Sequence, residues 1–96
     1  MKVEEYIKKI DKLVDKYSRP ITKDELDELK YEAEELDRKI KHGNYWGALW
    51  YASQMGATCN DLRPEKMGLR REDWSQICFE GLDDLLEQGA SELPEM

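Results

Sequence analysis

Residues 22–43 read TKDELDELKYEAEELDRKIKHG, and the spacing of the apolar positions in this stretch decides the fold class. Leu26, Leu29, Ala33, Leu36 and Ile40 recur at alternating intervals of three and four, with acidic and basic residues filling most positions between them. That period belongs to one face of a helix, because a half-buried strand would alternate every second residue. The ends carry matching signals. Thr22 and Glu25 form a capping box, Ile21 is placed to staple onto Leu26, and Asp24 and Glu25 suit the positive start of a helix. At the far end His42 suits the negative end of the dipole, and Gly43 can take the left-handed conformation that closes a helix. Five seam positions predict an ordinary bundle helix; the alternative, a dimerising coiled-coil seam, normally needs more heptads.

Working toward the N-terminus, Val3, Tyr6, Ile7, Ile10, Leu13, Val14 and Tyr17 form the stripe of an amphipathic helix that ends before Pro20. Toward the C-terminus, residues 43–60 read GNYWGALWYASQMGATCN, with no formal charge in a protein that is 39% charged. Asn44 is a fitting N-cap. At about 100° per residue, Ala48, Leu49, Ala52, Met55, Gly56 and Cys59 fall on one arc, with Trp46, Trp50, Ser53, Gln54 and Ala57 on the other side. The near absence of a polar face predicts that this is the central helix, with the small residues Ala48, Ala52 and Gly56 admitting a neighbour's backbone. Three glycines and several polar side chains make the stretch too interrupted for a membrane span.

A connection follows, with a helical turn at Pro64 to Met67 because proline is welcome at a first helical position. A last helix is predicted from about Arg71 to Gln88. Its inner stripe is Trp74, Ile77, Cys78, Gly81, Leu82 and Leu85, its outer face is Glu80, Asp83, Asp84 and Glu87, and Gly89 is its stop. Phe79 and Leu86 lie off the stripe. The expected architecture is therefore all-α, a small antiparallel four-helix bundle-like domain over residues 1–89, with a frayed tail at 90–96.

Gly43-Asn44-Tyr45, followed by Ala48-Leu49, Tyr51 and Ala52, resembles the second helix of a tetratricopeptide repeat. The resemblance covers about a third of the chain if the preceding helix is included, and no second copy follows at that family's period. It implies a helical hairpin here and does not imply the family's peptide-binding groove.

Charge narrows the partners. Residues 1–42 carry 11 basic and 12 acidic side chains, residues 43–70 carry three and two, and residues 71–96 carry one and eight. The formal charge of −7 is thus nearly all C-terminal, which argues against direct binding to nucleic acid or to an anionic membrane surface. The N-terminus MKVEEYIKKI has no apolar leader-like run, and Cys59 and Cys78 make no C-x-x-C pair, so two buried thiols in a cytoplasmic protein are expected.

Motifs for phosphate-cradling loops, nucleophile elbows or helix-borne zinc are absent, and His42, Cys59 and Cys78 lack paired ligand spacing. No enzyme, metal or cofactor is expected. Two features could carry binding. Trp46 and Trp50, four residues apart, would form a ledge of two indoles beside Tyr51, although a central helix would draw both rings into the core. With Phe79 and the acidic Glu80, Asp83, Asp84 and Glu87, the ledge is the expected surface for another protein, such as a nucleic-acid-binding enzyme, or for a second copy of the chain. Small size and strong acidity make the composition similar to that of inhibitors encoded by mobile elements, including anti-restriction and anti-CRISPR proteins. The alternative is a small-ligand or nucleotide sponge, in which a ring stacks on Trp46 and Trp50 or on Trp74 and phosphate is held by Arg63, Lys66, Arg70 or Arg71.

Overall fold

The computed structural model describes residues 2–17 and 20–93, with the side chains of residues 20 and 21 excepted. The predicted helices form: α1 (Val3–Lys16), α2 (Pro20–Lys41), α3 (Tyr45–Asp61) and a short α4 (Pro64–Met67). Next comes one continuous helix made of α5 (Arg71–Ser75), a π-helical turn (Gln76–Glu80) and α6 (Gly81–Glu92). There is no strand among the described residues. The fold is the expected all-α bundle, elongated to 41 × 19 × 18 Å. The long dimension follows from α2, whose 22 residues span about 33 Å at 1.5 Å per residue.

The seam of α2 is the heart of the core. Leu26, Leu29, Ala33, Leu36 and Ile40 are all buried, against Tyr6, Ile10 and Leu13 of α1 and Ala48, Met55 and Cys59 of α3. Helix α2 contacts α1, α3 and α6, so it, and not α3, is the central helix. This corrects the reading of residues 43–60. Around α3, Ala48, Ala52, Met55 and Cys59 share one narrow arc, whereas Leu49 and Gly56 sit nearly a quarter-turn off it and are exposed. One side of α3 therefore meets no neighbour among the described residues, and its apolar residues there are exposed.

Helix α2 also starts earlier than the capping box implies. Pro20 lies in its first turn, where the missing N–H costs nothing. Thr22 is buried within the helix and donates its hydroxyl to the Met67 carbonyl at 3.2 Å, a tertiary acceptor that takes it away from any capping role. The Ile21 staple lies outside the described side chains. At the other end the prediction holds in detail. Gly43 takes φ 66°, its N–H donates to the Ile40 carbonyl at 3.0 Å, and the Asn44 N–H donates to the Lys39 carbonyl at 2.9 Å. Asn44 then caps α3 by accepting from the Gly47 N–H at 2.9 Å.

The connection contributes more than a link, because Leu62, Met67 and Leu69 are buried in the core. The last helix keeps its predicted inner stripe, with Ile77, Cys78, Leu82 and Leu85 buried and Trp74 half-buried. It does not stop at Gly89. That residue is buried within α6, close enough to α2 that an added Cβ would lie 2.6 Å from Ile40 Cδ1, so its glycine serves close packing. The helix continues to Glu92, and residues 94–96 of the expected tail lie outside the described residues. Periodicity also gave no warning of the π turn. There the Gly81 N–H donates to the Gln76 carbonyl instead of that of Ile77, and the buried Tyr6 hydroxyl donates to the Ile77 carbonyl at 2.7 Å.

Candidate functional site

Asn44 and the Gly43 turn launch α3 along α2, and this fixes which side of an almost uncharged helix is left outside. Trp46 is 68% exposed and Trp50 62%, with Leu49 at 44% beside them. Of the two placements the spacing left open, core or ledge, both indoles take the exposed one, because the central position belongs to α2 and α3 needs only a narrow inner arc. Ser53, Gly56, Ala57 and Asn60 continue the same exposed face. From 46 to 60 this face carries no charge. Tyr45 braces Trp46 edge to face, with ring centroids 5.5 Å apart. Tyr51, half-buried at the inner margin, meets Tyr31 of α2, whose phenol is itself 55% exposed and is shifted upward chiefly by Tyr51 and then by Glu35.

The other expected partner-binding residues lie on the last helix. Phe79 is 59% exposed in the π turn, and Glu80, Asp83, Asp84 and Glu87 are exposed around it and along α6. The offset of Phe79 from the inner stripe was visible in its spacing; its exposure follows because the bundle packs only the Ile77–Cys78 side of that turn.

Apart from Trp46 and Trp50, the alternative ligand residues lie on and beside the short helices α4 and α5. Trp74 is half-buried and its indole N–H donates to the Cys59 carbonyl at 3.1 Å, which holds it against the core. Arg63 donates from Nε to Asn60 Oδ1 at 2.9 Å, and Arg70 Nε lies 3.6 Å from Glu72 Oε2. Asp73 binds both Lys16 Nζ and the Tyr17 hydroxyl at 2.6 Å, while Tyr17 Oη accepts from the Arg70 N–H at 2.8 Å. Burial alone would raise the Asp73 carboxyl, but these hydrogen bonds outweigh it and hold the group below its ordinary value. The result is a clamp between the end of α1 and the start of α5. Arg71 borders a shallow hollow of about 330 Å³ with Glu72, Ser75, Gln76 and Glu80, where acids offset the base. Lys66 is exposed on α4.

Sequence spacing gave no sign of one buried polar site. Glu32, which reads as a solvated position of α2, is 5% exposed, and the Thr58 hydroxyl donates to its Oε1 at 2.6 Å. Burial pushes the carboxyl up, the Thr58 hydrogen bond opposes this, and Glu28 and Glu25 add to the rise. Nearby, burial and then the Cys59 and Cys78 thiols raise the Tyr6 phenol, and the Cys59 hydrogen bond followed by burial raises the Cys78 thiol, so both stay protonated. None of these groups lines either opening found among the described residues. A second opening, about 280 Å³, lies elsewhere, between the start of α1 and the ends of α2 and α6, with Lys2, Asp37, Lys41, Gln88 and Glu92 at its rim. Among the described residues no cluster of His, Cys, Asp or Glu is arranged to hold a metal, and no helix is long and apolar enough to cross a membrane.

Glu32 has a testable consequence. Its folded-state pKa lies above its unfolded value, so ionisation opposes folding: its contribution is favourable in acid, below the unfolded carboxylate range, and is lost as pH rises through the raised value. Glu32→Gln keeps an acceptor for Thr58 and should raise the melting temperature at pH 7, with the gain shrinking as pH falls through the carboxylate range. Destabilisation at pH 7 that disappears in acid would mean that the charged form supports the fold.

No protein-family model, curated protein or solved structure matches this chain.

Proposed function

We propose that the chain is a non-catalytic protein-binding module that docks through the outer face of α3. The observation that carries this reading is the pair of two-thirds-exposed indoles on a face without charge, in a protein otherwise covered with charge. Contiguous exposed apolar surface in a small domain marks contact sites, and tryptophan is the residue type most enriched among binding hot spots. The acidic last helix adds a second element. With seven of the net negative charges falling within residues 71–96, it would steer association toward a basic surface in a salt-sensitive way. An inhibitor that masks the basic cleft of a nucleic-acid-binding enzyme is the form of this function that such a helix suits best.

The test uses a double variant, Trp46→Glu with Trp50→Glu. Because both rings are exposed, its stability should stay within about 0.5 kcal/mol of the parent, while proteins captured from a host lysate by the parent should be lost, as quantified by mass spectrometry. A second variant, Asp83→Lys with Glu87→Lys, should slow capture and flatten its salt dependence. Retention of every captured protein by the tryptophan variant would remove α3 as the docking face, and unfolding of that variant would return the indoles to a structural role.

A further inference from the structure

The outer face of α3 is divided by size. Its first half carries Trp46, Leu49 and Trp50, and its second half carries Ser53, Gly56 and Ala57. Two such faces fit only when they run in opposite directions, so that the bulky half of each lies on the small half of the other. We propose that the occupant of this face is a second copy of the chain, with the two α3 helices packed antiparallel across a two-fold axis passing between Tyr51 and Ala52. That register sets Trp46 opposite Ala57 and Trp50 opposite Ser53 of the partner copy. The proposal rests on the reading of α3 as a docking face and names its partner.

Three observations support a second copy as the occupant. The first is space: an added Cβ at Gly56 would meet nothing within 4 Å, so the small half is an open seat that none of the described residues fills. The second is charge. The last turn of α2, beside the start of α3, carries Arg38, Lys39 and Lys41; Arg38 pairs with Glu35 and Lys41 with Asp37, which leaves the excess positive charge to Lys39, whose stem reaches Gly47. Near the opposite end of α3, Asp61 clusters with Glu25 and Glu28. Antiparallel pairing brings the basic end of one copy to the acidic end of the other, whereas parallel pairing would set like over like. Elsewhere the acidic chains repel; here the charge-free face lets them approach. The third is area. The indoles, Leu49 and the small residues offer roughly 500 Å² a side, or about 1,000 Å² for the pair, which reaches what a specific interface needs. An isologous contact of this kind closes on itself and leaves both acidic last helices available to a target.

The test is sedimentation of the full chain from about 5 to 500 µM, a range suited to an interface of minimal area. The mass should rise toward twice the 11.3 kDa of one chain. Ala57→Trp, which fills the seat opposite Trp46, should abolish the rise and leave the helical spectrum and melting unchanged. Direction is read by cross-linking. Across the proposed axis the Cα atoms of two Ser53→Cys chains lie ~5–7 Å apart and should form a disulfide under a mild oxidant, while two Trp46→Cys chains lie about 16 Å apart and should not. Equal cross-linking at both positions would indicate a parallel pair and overturn the proposal. So would a dimer that survives Trp46→Glu with Trp50→Glu. A parent chain that stays monomeric also overturns it, and the two readings then separate: loss of captured proteins in the tryptophan variant would leave α3 docking a different protein, and their retention would end both.

Discussion

Leu29→Ala is expected to destabilise the chain by about 2–5 kcal/mol, read as a shift in the urea unfolding midpoint followed by circular dichroism. Leu29 is fully buried in the seam of α2, the helix that contacts α1, α3 and α6, so the lost methyl groups leave a void lined from several elements. Leu36→Ala should behave alike, since Leu36 is 2% exposed on the same seam. A domain of this size is stable by only about 5–15 kcal/mol, so either change removes a large share of the total. The exposed positions of α3 provide the contrast. Trp46→Ala removes more atoms than Leu29→Ala and should cost far less, because its ring is already in water. Losses under half a kcal/mol at both leucines would take the seam out of the core.

Gly81→Ala should destabilise by roughly 1–3 kcal/mol, against the ordinary preference of helices for alanine. An added Cβ would stand 2.4 Å from the Gln76 carbonyl oxygen and 3.2 Å from Tyr6 Cε2. The first neighbour is backbone in the π turn and the second belongs to a ring held by its hydrogen bond to the Ile77 carbonyl, so neither can step aside cheaply. Gly56→Ala in α3 is the matched control. With open space around that position, the same substitution should stabilise by about 0.5–1 kcal/mol through helix propensity. Thermal melts of the two variants should move in opposite directions. A gain at Gly81 would mean that the π turn relaxes to a regular helix at no cost.

The helices themselves are local properties and were legible in the residues. The 3-4-3-4 seam from Leu26 to Ile40, the Gly43 stop, the Asn44 cap and the turn begun by Pro64 each depend on side chains within one or two turns, and each stands where the spacing put it. The candidate site was legible only in part. That Trp46 and Trp50 stack on one side of a helix follows from their four-residue separation, but whether that side faces water does not, because α3 lacks the polar half that would orient it. The number of neighbours decides this, and tertiary packing made α2 the central helix. The same reason explains the other differences. Thr22 can cap a helix or reach the Met67 carbonyl, and Glu32 can be solvated or held by Thr58; both choices depend on a residue at least 26 positions away. Gly89 can end a helix or admit Ile40, and Gly81 can be a weak helix residue or the one that fits a π turn against Tyr6. A helix is settled by residues three and four apart, whereas burial, partner and close approach are settled by chains that meet only after folding.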